Sequence, residues 1–266
     1  MQSATSGAGG GGGGRFGRGV RFLRMELSAR LRPEERRALA EWIRRLPAGF
    51  AERLPRLKLA AAEQMRLAKA RVVIDEKPLG EMPQGLIARP EDHLHAASFI
   101  PQRTVVLHRG LFRRRVELGR ILYHELCHFL WPRLGNPLRW SYEELVWAEF
   151  GKGVRGELGY SSEWRKEKLR AEGGRVSGQK RLWREYVCES FCDTAAYVLL
   201  GSERRAGHSE YTLSRAARER RERWMEKLGI GSGEQGSKQY GRRARPFSEL
   251  LYRPPKPGRA GTKQDG

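Results

Sequence analysis

The sequence predicts an α+β fold in which a small sheet is followed by several helices. Apolar residues recur with helical spacing over residues 34–46 and again over residues 115–131. Short β-branched or apolar runs, separated by proline, glycine and charged residues, lie between these two segments. Further helical patterns follow the second segment, and the length of the chain suits one substantial domain with tails.

The elements predicted before residue 110 are short. Pro33 suits the first turn of a helix, and Leu39, Trp42 and Ile43 lie on one face of the segment that follows it. A second helix is predicted over residues 57–70. Strands are predicted over residues 72–74, 97–100 and 104–108.

The elements predicted after residue 110 are mainly helical. The apolar helix over residues 115–131 ends before Pro132, and Ser141 with Glu144 has the spacing of a helix-capping box. Residues 151–180 are rich in glycine, lysine and arginine, and they are interpreted as a surface excursion. Further helices are predicted over residues 142–150, 182–200 and 209–228.

Composition suggests the domain boundaries and the cellular compartment. The glycine-rich residues 1–24 predict a disordered leader, residues 25–230 one folded domain, and residues 231–266 a flexible basic tail. The number of cysteines is odd, and we find no signal peptide. No apolar run approaches the roughly 18 residues that cross a membrane. We therefore expect a cytoplasmic protein without a membrane span.

The chain is strongly basic, with 52 lysines and arginines against 31 acidic residues and a net charge of +21. Such a charge attracts nucleic acids and other polyanions. The basic residues are spread along the whole sequence and form no compact patch that the sequence reveals. Weak nucleic-acid binding through the basic tails is therefore an alternative rather than the main prediction.

The most specific motif is His124-Glu125-Leu126-Cys127-His128, which has the form H-E-x-x-H. Two histidines four residues apart lie about 6 Å apart along one face of a helix, so both imidazoles can bind one Zn²⁺ ion. Glu125 is turned about 100° from His124, which lets its carboxylate lie beside the metal without binding it. That position suits a general base acting on a metal-activated water.

A catalytic zinc site takes a third protein ligand, and the strongest candidate is Glu189. Asp193 lies one turn later on the same face of an otherwise apolar helix, where it can accept a hydrogen bond from a ligating histidine. Unpaired buried carboxylates are costly, so a metal gives a physical reason for both. The alternative third ligands are Glu144, Glu149 and Glu185.

Together, His124-Glu125-x-x-His128 and Glu189-x-x-x-Asp193 resemble the gluzincin branch of the zincin metallopeptidases. The resemblance covers two helices and implies a zincin-like fold. It also implies that both histidines and the first acidic residue of the second motif bind zinc, that Glu125 is the base and that Asp193 supports a ligand. The second motif lies further along the chain than in the best-known members.

The resemblance further implies a zinc-dependent peptidase acting on a peptide or protein substrate. Thr104–His108 is similar to the edge strand beside which such enzymes lay the substrate backbone. A donor to the developing oxyanion is also expected. The candidate donors are Tyr160, Tyr186, His208 and Tyr211.

Other interpretations of the same residues stay open. Cys127, Cys188 and Cys192 fall within the two motif segments and could form a closed structural zinc site with a histidine. That interpretation leaves Glu125 without a role. The chain could then be a zinc-stabilised binding module without turnover, and its charge alternatively suits a nucleic-acid-associated protein.

Overall fold

The computed structural model describes residues 24–68, 71–74, 77–81, 95–173, 179–204 and 208–231. One strand and two helices come first in these residues, and six consecutive strands are then followed by five α-helices, which confirms the α+β class. The predicted leader over residues 1–24 and the predicted tail over residues 231–266 lie outside the described residues, apart from residues 24 and 231.

Seven strands form two sheets within the described residues. The strands are β1 (Met25–Leu27), β2 (Leu57–Ala62), β3 (Met65–Ala68), β4 (Arg71–Ile74), β5 (Lys77–Glu81), β6 (Ala96–Phe99) and β7 (Thr104–His108). One sheet has the order β1-β2-β7-β6, and β3, β4 and β5 form a second, antiparallel sheet. In the larger sheet β1, β2 and β7 are parallel, and β6 runs antiparallel to β7.

The edge strands of the larger sheet are β1 and β6, so the prediction that Thr104–His108 forms an edge was wrong. β7 is hydrogen-bonded to β2 on one side and to β6 on the other. Val105, Val106 and Leu107 are all buried, so both faces of β7 are covered. A continuous apolar run of this kind is typical of an interior strand.

Residues 57–68 form β2 and β3 in place of the predicted helix over residues 57–70. Leu57 and Leu59 are buried while Lys58 between them is exposed, which is the alternation of a strand. Leucine and alanine favour helices, but β2 pairs with parallel strands on both sides. Tertiary pairing therefore outweighs the local helix preference.

Seven α-helices lie in the described part of the chain. They are α1 (Pro33–Arg44), α2 (Ala48–Ala51), α3 (Arg115–Leu130), α4 (Asn136–Gly151), α5 (Tyr160–Ala171), α6 (Lys180–Leu200) and α7 (Arg215–Lys227). The predictions of α1, α3 and α6 are confirmed to within two residues. α4 begins at Asn136, with a proline in its first turn, so the predicted capping box at Ser141 lies inside the helix and was wrong. None of the described helices is long and apolar enough to cross a membrane.

Helix α5 lies where a surface excursion was predicted. Its buried residues are Ser162, Arg165, Lys166 and Leu169, so most of its inner face is polar or charged. A helix with such a face lacks the apolar stripe by which sequence patterns reveal buried helices. α5 packs against α6, and it contributes two of these polar side chains to the site described below.

Helix α3 is the central element of the core. One of its sides packs against β6 and β7, and the other packs against α6. Leu118, Leu122 and Leu126 follow one another at four-residue spacing and are fully buried. The motif residues of α3 are therefore held between the sheet and α6.

A buried ion network joins α7 to the loop before α5. The Glu157 carboxylate accepts hydrogen bonds from Arg221 at 2.5 and 3.0 Å, from Lys166 Nζ at 2.7 Å and from the Tyr186 hydroxyl at 2.6 Å. Burial raises the pKa of Glu157, but the neighbouring charges of Arg221 and Lys166 outweigh this and lower the pKa to about 2. The carboxylate is thus held ionised in the interior.

We expect Glu157→Gln to lower the free energy of unfolding by about 3 kcal/mol or more, because it leaves the buried charge of Arg221 with fewer partners. Denaturant unfolding measures this loss. The control is Glu219→Gln, which removes an exposed ion pair with Arg215 and should change stability by less than about 1 kcal/mol. Equal losses in the two variants would contradict the prediction.

The same carboxylate should make stability sensitive to acid. Its folded-state pKa of about 2 lies below its ordinary value of 4.5, so its contribution is fully present above pH 4.5. That contribution is lost as the pH falls toward 2. Unfolding measured between these pH values should therefore show a shallower dependence on pH in Glu157→Gln than in the parent chain.

Candidate metal centre

The side chains of α3 and α6 that face one another include the three predicted metal ligands. His124 Nε2 lies 3.2 Å from His128 Nε2. Glu189 Oε2 lies 3.3 Å from His124 Nε2 and 3.9 Å from His128 Nε2. The structure therefore brings His124, His128 and Glu189 together, although they come from separate parts of the chain.

These separations fit a single tetrahedral ion. Bonds of about 2.0–2.1 Å to nitrogen and oxygen place neighbouring ligand atoms about 3.3 Å apart around a tetrahedral metal. Two imidazole lone pairs that point at each other also repel unless a proton or a metal lies between them. His124, His128 and Glu189 are therefore a candidate ligand set for a single metal ion.

The charges of the cluster are mutually stabilising. Burial lowers the pKa of His124, but Asp193 and Glu189 outweigh it and raise the pKa well above the usual value. Burial likewise lowers the pKa of His128, but Glu189 and Cys188 raise it to about 9. Burial raises the pKa of Glu189, and the two imidazoles with Arg165 lower it to about 2. A bound cation would replace protons that the imidazoles otherwise hold.

Asp193 supports His124 as predicted from the sequence. Its Oδ1 lies 2.8 Å from His124 Nδ1, so the proton of that ring is assigned to Nδ1 and the lone pair of Nε2 faces the other ligands. Its Oδ2 accepts hydrogen bonds from the hydroxyl of Ser162 at 2.6 Å and from the backbone N–H of Ser162 at 3.3 Å. Any β-carbon at Gly159 would collide with the Asp193 carboxylate, so a glycine is required there.

Arg165 is a second contributor from α5 that sequence reasoning missed. Its side chain is 2% exposed, and its Nη2 lies 3.7 Å from Oε1 of Glu189. The guanidinium also stacks on the ring of Trp164, with 4.4 Å between its carbon and the ring centroid. Oε1 of Glu189 therefore faces Arg165 while Oε2 faces the two imidazoles.

Glu125, the predicted base, is buried and follows His124 in the same turn of α3. Its backbone carbonyl accepts a hydrogen bond of 3.0 Å from the hydroxyl of Ser98 in β6. Ser98 thereby joins the edge strand to α3 at the H-E-x-x-H motif. β6 is thus linked directly to the helix that carries two of the candidate ligands.

The alternative third ligands do not join the centre. Glu144 is exposed, Glu149 accepts a 2.9 Å hydrogen bond from buried Arg221, and Glu185 accepts a 2.8 Å hydrogen bond from Arg181. Among the described residues, Glu189 is the carboxylate that belongs to a group with metal-ligand spacing.

The thiols form a second group with metal-ligand spacing on the other edge of the His128 ring. Cys192 Sγ lies 3.6 Å and Cys188 Sγ lies 3.8 Å from His128 Nδ1. Cys127 is fully buried and is not a member of this group. The alternative prediction placed all three cysteines and a histidine in one zinc site. Within the described residues, two of the cysteines and His128 form such a group, and Cys127 does not join it.

The candidate oxyanion donors lie in different surroundings. Tyr186 donates its hydroxyl hydrogen to Glu157, and Tyr160 is 57% exposed. The ring of Tyr211 lies 4.9 Å from the ring of His208, measured between centroids. His208 Nε2 is 3.3 Å from a carboxylate oxygen of Glu117, which lies two turns before the first motif histidine on α3. His208 and Tyr211 are thus the pair that the structure connects to α3.

We expect the purified chain to bind one equivalent of a divalent metal at this centre. The variants His124→Ala, His128→Ala and Glu189→Ala should each lose that equivalent, because three ligands are needed for tight binding. Elemental analysis after gel filtration measures the metal content. The control Glu144→Ala removes an exposed carboxylate and should retain the metal. Full retention by Glu189→Ala would exclude Glu189 as a ligand.

Asp193→Asn should weaken metal binding by about 10- to 100-fold, which is typical of losing a partner that orients a ligating histidine. The carboxylate uses one oxygen for His124 and the other for Ser162, and in asparagine one of these oxygens becomes an NH2 group, which donates instead of accepting. Competition with a chromophoric chelator gives the affinity. As a control, Ser161→Ala, beside Ser162, should leave the affinity unchanged. Parental affinity in Asp193→Asn would show that this hydrogen bond does not act on the metal.

No protein-family model, curated protein or solved structure matches this chain. The chemistry of the centre is therefore inferred from its own residues and their geometry.

Proposed function

We propose that the protein is a zinc-dependent peptidase of the zincin type, which hydrolyses peptide bonds with a metal-activated water. One observation carries the proposal. His124 Nε2, His128 Nε2 and Glu189 Oε2 converge within 3.9 Å of one another, and Glu125 lies in the same helical turn as the first histidine. Relative to the two histidines, Glu125 occupies the sequence position that suits a general base.

The donor set favours a catalytic zinc ion. Two imidazoles and one carboxylate are three protein ligands, which leave a fourth tetrahedral position for water or substrate. A zinc ion held there would polarise a substrate carbonyl and make water more acidic. Closed structural sites have four protein ligands instead, and most of these are thiolates.

The residues around the ligands have separable roles in this proposal. Glu125 accepts a proton from the attacking water and then passes a proton to the leaving amine. Asp193 fixes the tautomer of His124, so that the lone pair of Nε2 is directed toward the other ligands. Arg165 contacts Oε1 of Glu189 and leaves Oε2 for the ligand position.

The position of β6 supports a peptide as substrate. β6 is at one edge of its sheet, and an extended peptide can add to a sheet edge as a further strand. All four residues of β6 are buried, so the proposal requires that whatever covers this edge moves aside when a peptide binds. Ser98 in β6 is hydrogen-bonded to the backbone of Glu125, so a strand added there would lie near the motif of α3. This sheet, its edge strand and α3 are the basis for proposing a zincin-like fold.

A zinc-stabilised binding module without turnover is the second candidate. It is favoured by the thiol group at His128 Nδ1, because thiolates are typical ligands of structural zinc. In that case removing the metal would unfold the domain, and no peptide would be cleaved.

We expect Glu125→Gln to keep its metal and its fold while turnover falls by about 10²-fold or more, the range typical of general acid–base groups. Glutamine preserves the size of the side chain but removes the base. The measurement is chelator-sensitive cleavage of an unfolded protein substrate, with zinc content determined on the same samples. The matched control Glu144→Gln changes an exposed glutamate and should cleave at the parental rate.

Two results would count against this function. Parental turnover in Glu125→Gln would exclude Glu125 as the base. Absence of chelator-sensitive cleavage by the zinc-containing parent, together with loss of folding when zinc is removed, would favour the binding module.

A further inference from the structure

The two nitrogens of the His128 ring face two different sets of ligands. Nε2 faces His124 and Glu189, and Nδ1 faces the sulfur atoms of Cys188 and Cys192. We propose that Cys188, Cys192 and His128 Nδ1 form a second metal position, which binds a thiophilic cation in place of the ion at the first position. This inference concerns metal binding and does not depend on peptidase activity.

The distances at this second position are those of a thiolate site. Bonds of about 2.3 Å to sulfur and about 2.0–2.1 Å to nitrogen place a sulfur and a nitrogen about 3.6 Å apart around a tetrahedral ion. The observed separations between His128 Nδ1 and the two sulfurs are 3.6 and 3.8 Å. Cys188 and Cys192 are one turn apart on α6, so the backbone of one rigid helix fixes their spacing.

The ligand types determine which cations suit the position. Two thiolates with one imidazole favour soft or borderline ions such as Cd²⁺, Cu⁺ and Zn²⁺ over hard ions such as Mg²⁺ and Ca²⁺. Cys192 is buried, whereas Cys188 and His128 are partly exposed. A cation therefore reaches the sulfurs from the side of Cys188 and His128.

The shared imidazole makes the two positions mutually exclusive. A neutral imidazole has one lone pair and one N–H group. When Nε2 of His128 binds a metal, Nδ1 carries the proton and donates toward the sulfurs. When Nδ1 binds a metal, Nε2 carries the proton and can no longer bind a metal together with His124 and Glu189. A thiophilic ion at the second position thus removes one ligand from the first.

The test is a titration of the reduced, metal-free chain with Cd²⁺, followed by the ultraviolet charge-transfer absorption of cadmium thiolates. We expect the absorption to saturate with at most one cadmium bound per chain. The double variant Cys188→Ser/Cys192→Ser should lose the absorption. The control Cys127→Ala removes the buried cysteine outside the group and should retain it.

A further variant separates this inference from the proposed function. Glu189→Gln damages the first position only, so it should lose hydrolysis and keep the cadmium–thiolate absorption.

If the double variant fails to fold, as judged by circular dichroism, the single variant Cys188→Ser at the partly exposed site should lose about half of the absorption, because one of two thiolates remains.

Three outcomes would overturn the inference. Undiminished absorption in the folded double variant, or in Cys188→Ser, would place the cadmium on other ligands. A loss in Cys127→Ala as large as in the double variant would assign the thiolates differently. Two cadmium ions bound per chain, with the thiolate absorption intact, would refute the mutual exclusion of the two positions.

Discussion

The hydrogen bond between His124 and Asp193 determines how the two central helices face each other. Asp193 is buried in α6, where an isolated carboxylate would be strongly destabilising. His124 from α3 and Ser162 from α5 provide its hydrogen bonds. Because this contact fixes the His124 ring, Nε2 is directed at His128 and Glu189. One buried carboxylate thus aligns three helices and orients one ligand.

Helix α6 carries buried polar groups on both of its sides, and each side is hydrogen-bonded by different elements. Toward α3, Glu189 faces the two motif histidines, with Arg165 behind it. Toward α7, Ser190 accepts a 2.9 Å hydrogen bond from Arg221, whose guanidinium also binds Glu157. Helix α6 therefore takes part in two polar networks, and each is satisfied by partners from more than one helix.

The candidate site could be predicted from the sequence because helical geometry fixes the relative positions of its members. His124 and His128 must share a face of α3, and Glu189 and Asp193 must share a face of α6. What the sequence could not provide is the contribution of α5. Residues such as Ser162 have no pattern that distinguishes a buried polar contact from a solvated surface.

The fold was predicted less completely than the site. The strands over residues 97–100 and 104–108 were located to within one residue, but their order in the sheet was not, because pairing partners are chosen by packing between distant segments. In β2, leucine and alanine are good helix formers, and only the neighbouring strands decide the outcome. Local preference therefore sufficed where an element was long and periodic, as in α3 and α6.

The Glu157–Arg221 pair has a consequence for the order in which the chain folds during its synthesis. The two residues are 64 positions apart, and the ligands of the metal centre are already complete at Glu189. A ribosome-bound chain whose residues up to 200 have left the ribosome contains every metal ligand. It does not yet contain the guanidinium of α7 that pairs with Glu157 in the folded domain. Up to that point, Lys166 and Tyr186 are the partners of Glu157 that the chain already contains. The metal ligands are therefore synthesised before Glu157 acquires its guanidinium partner from α7.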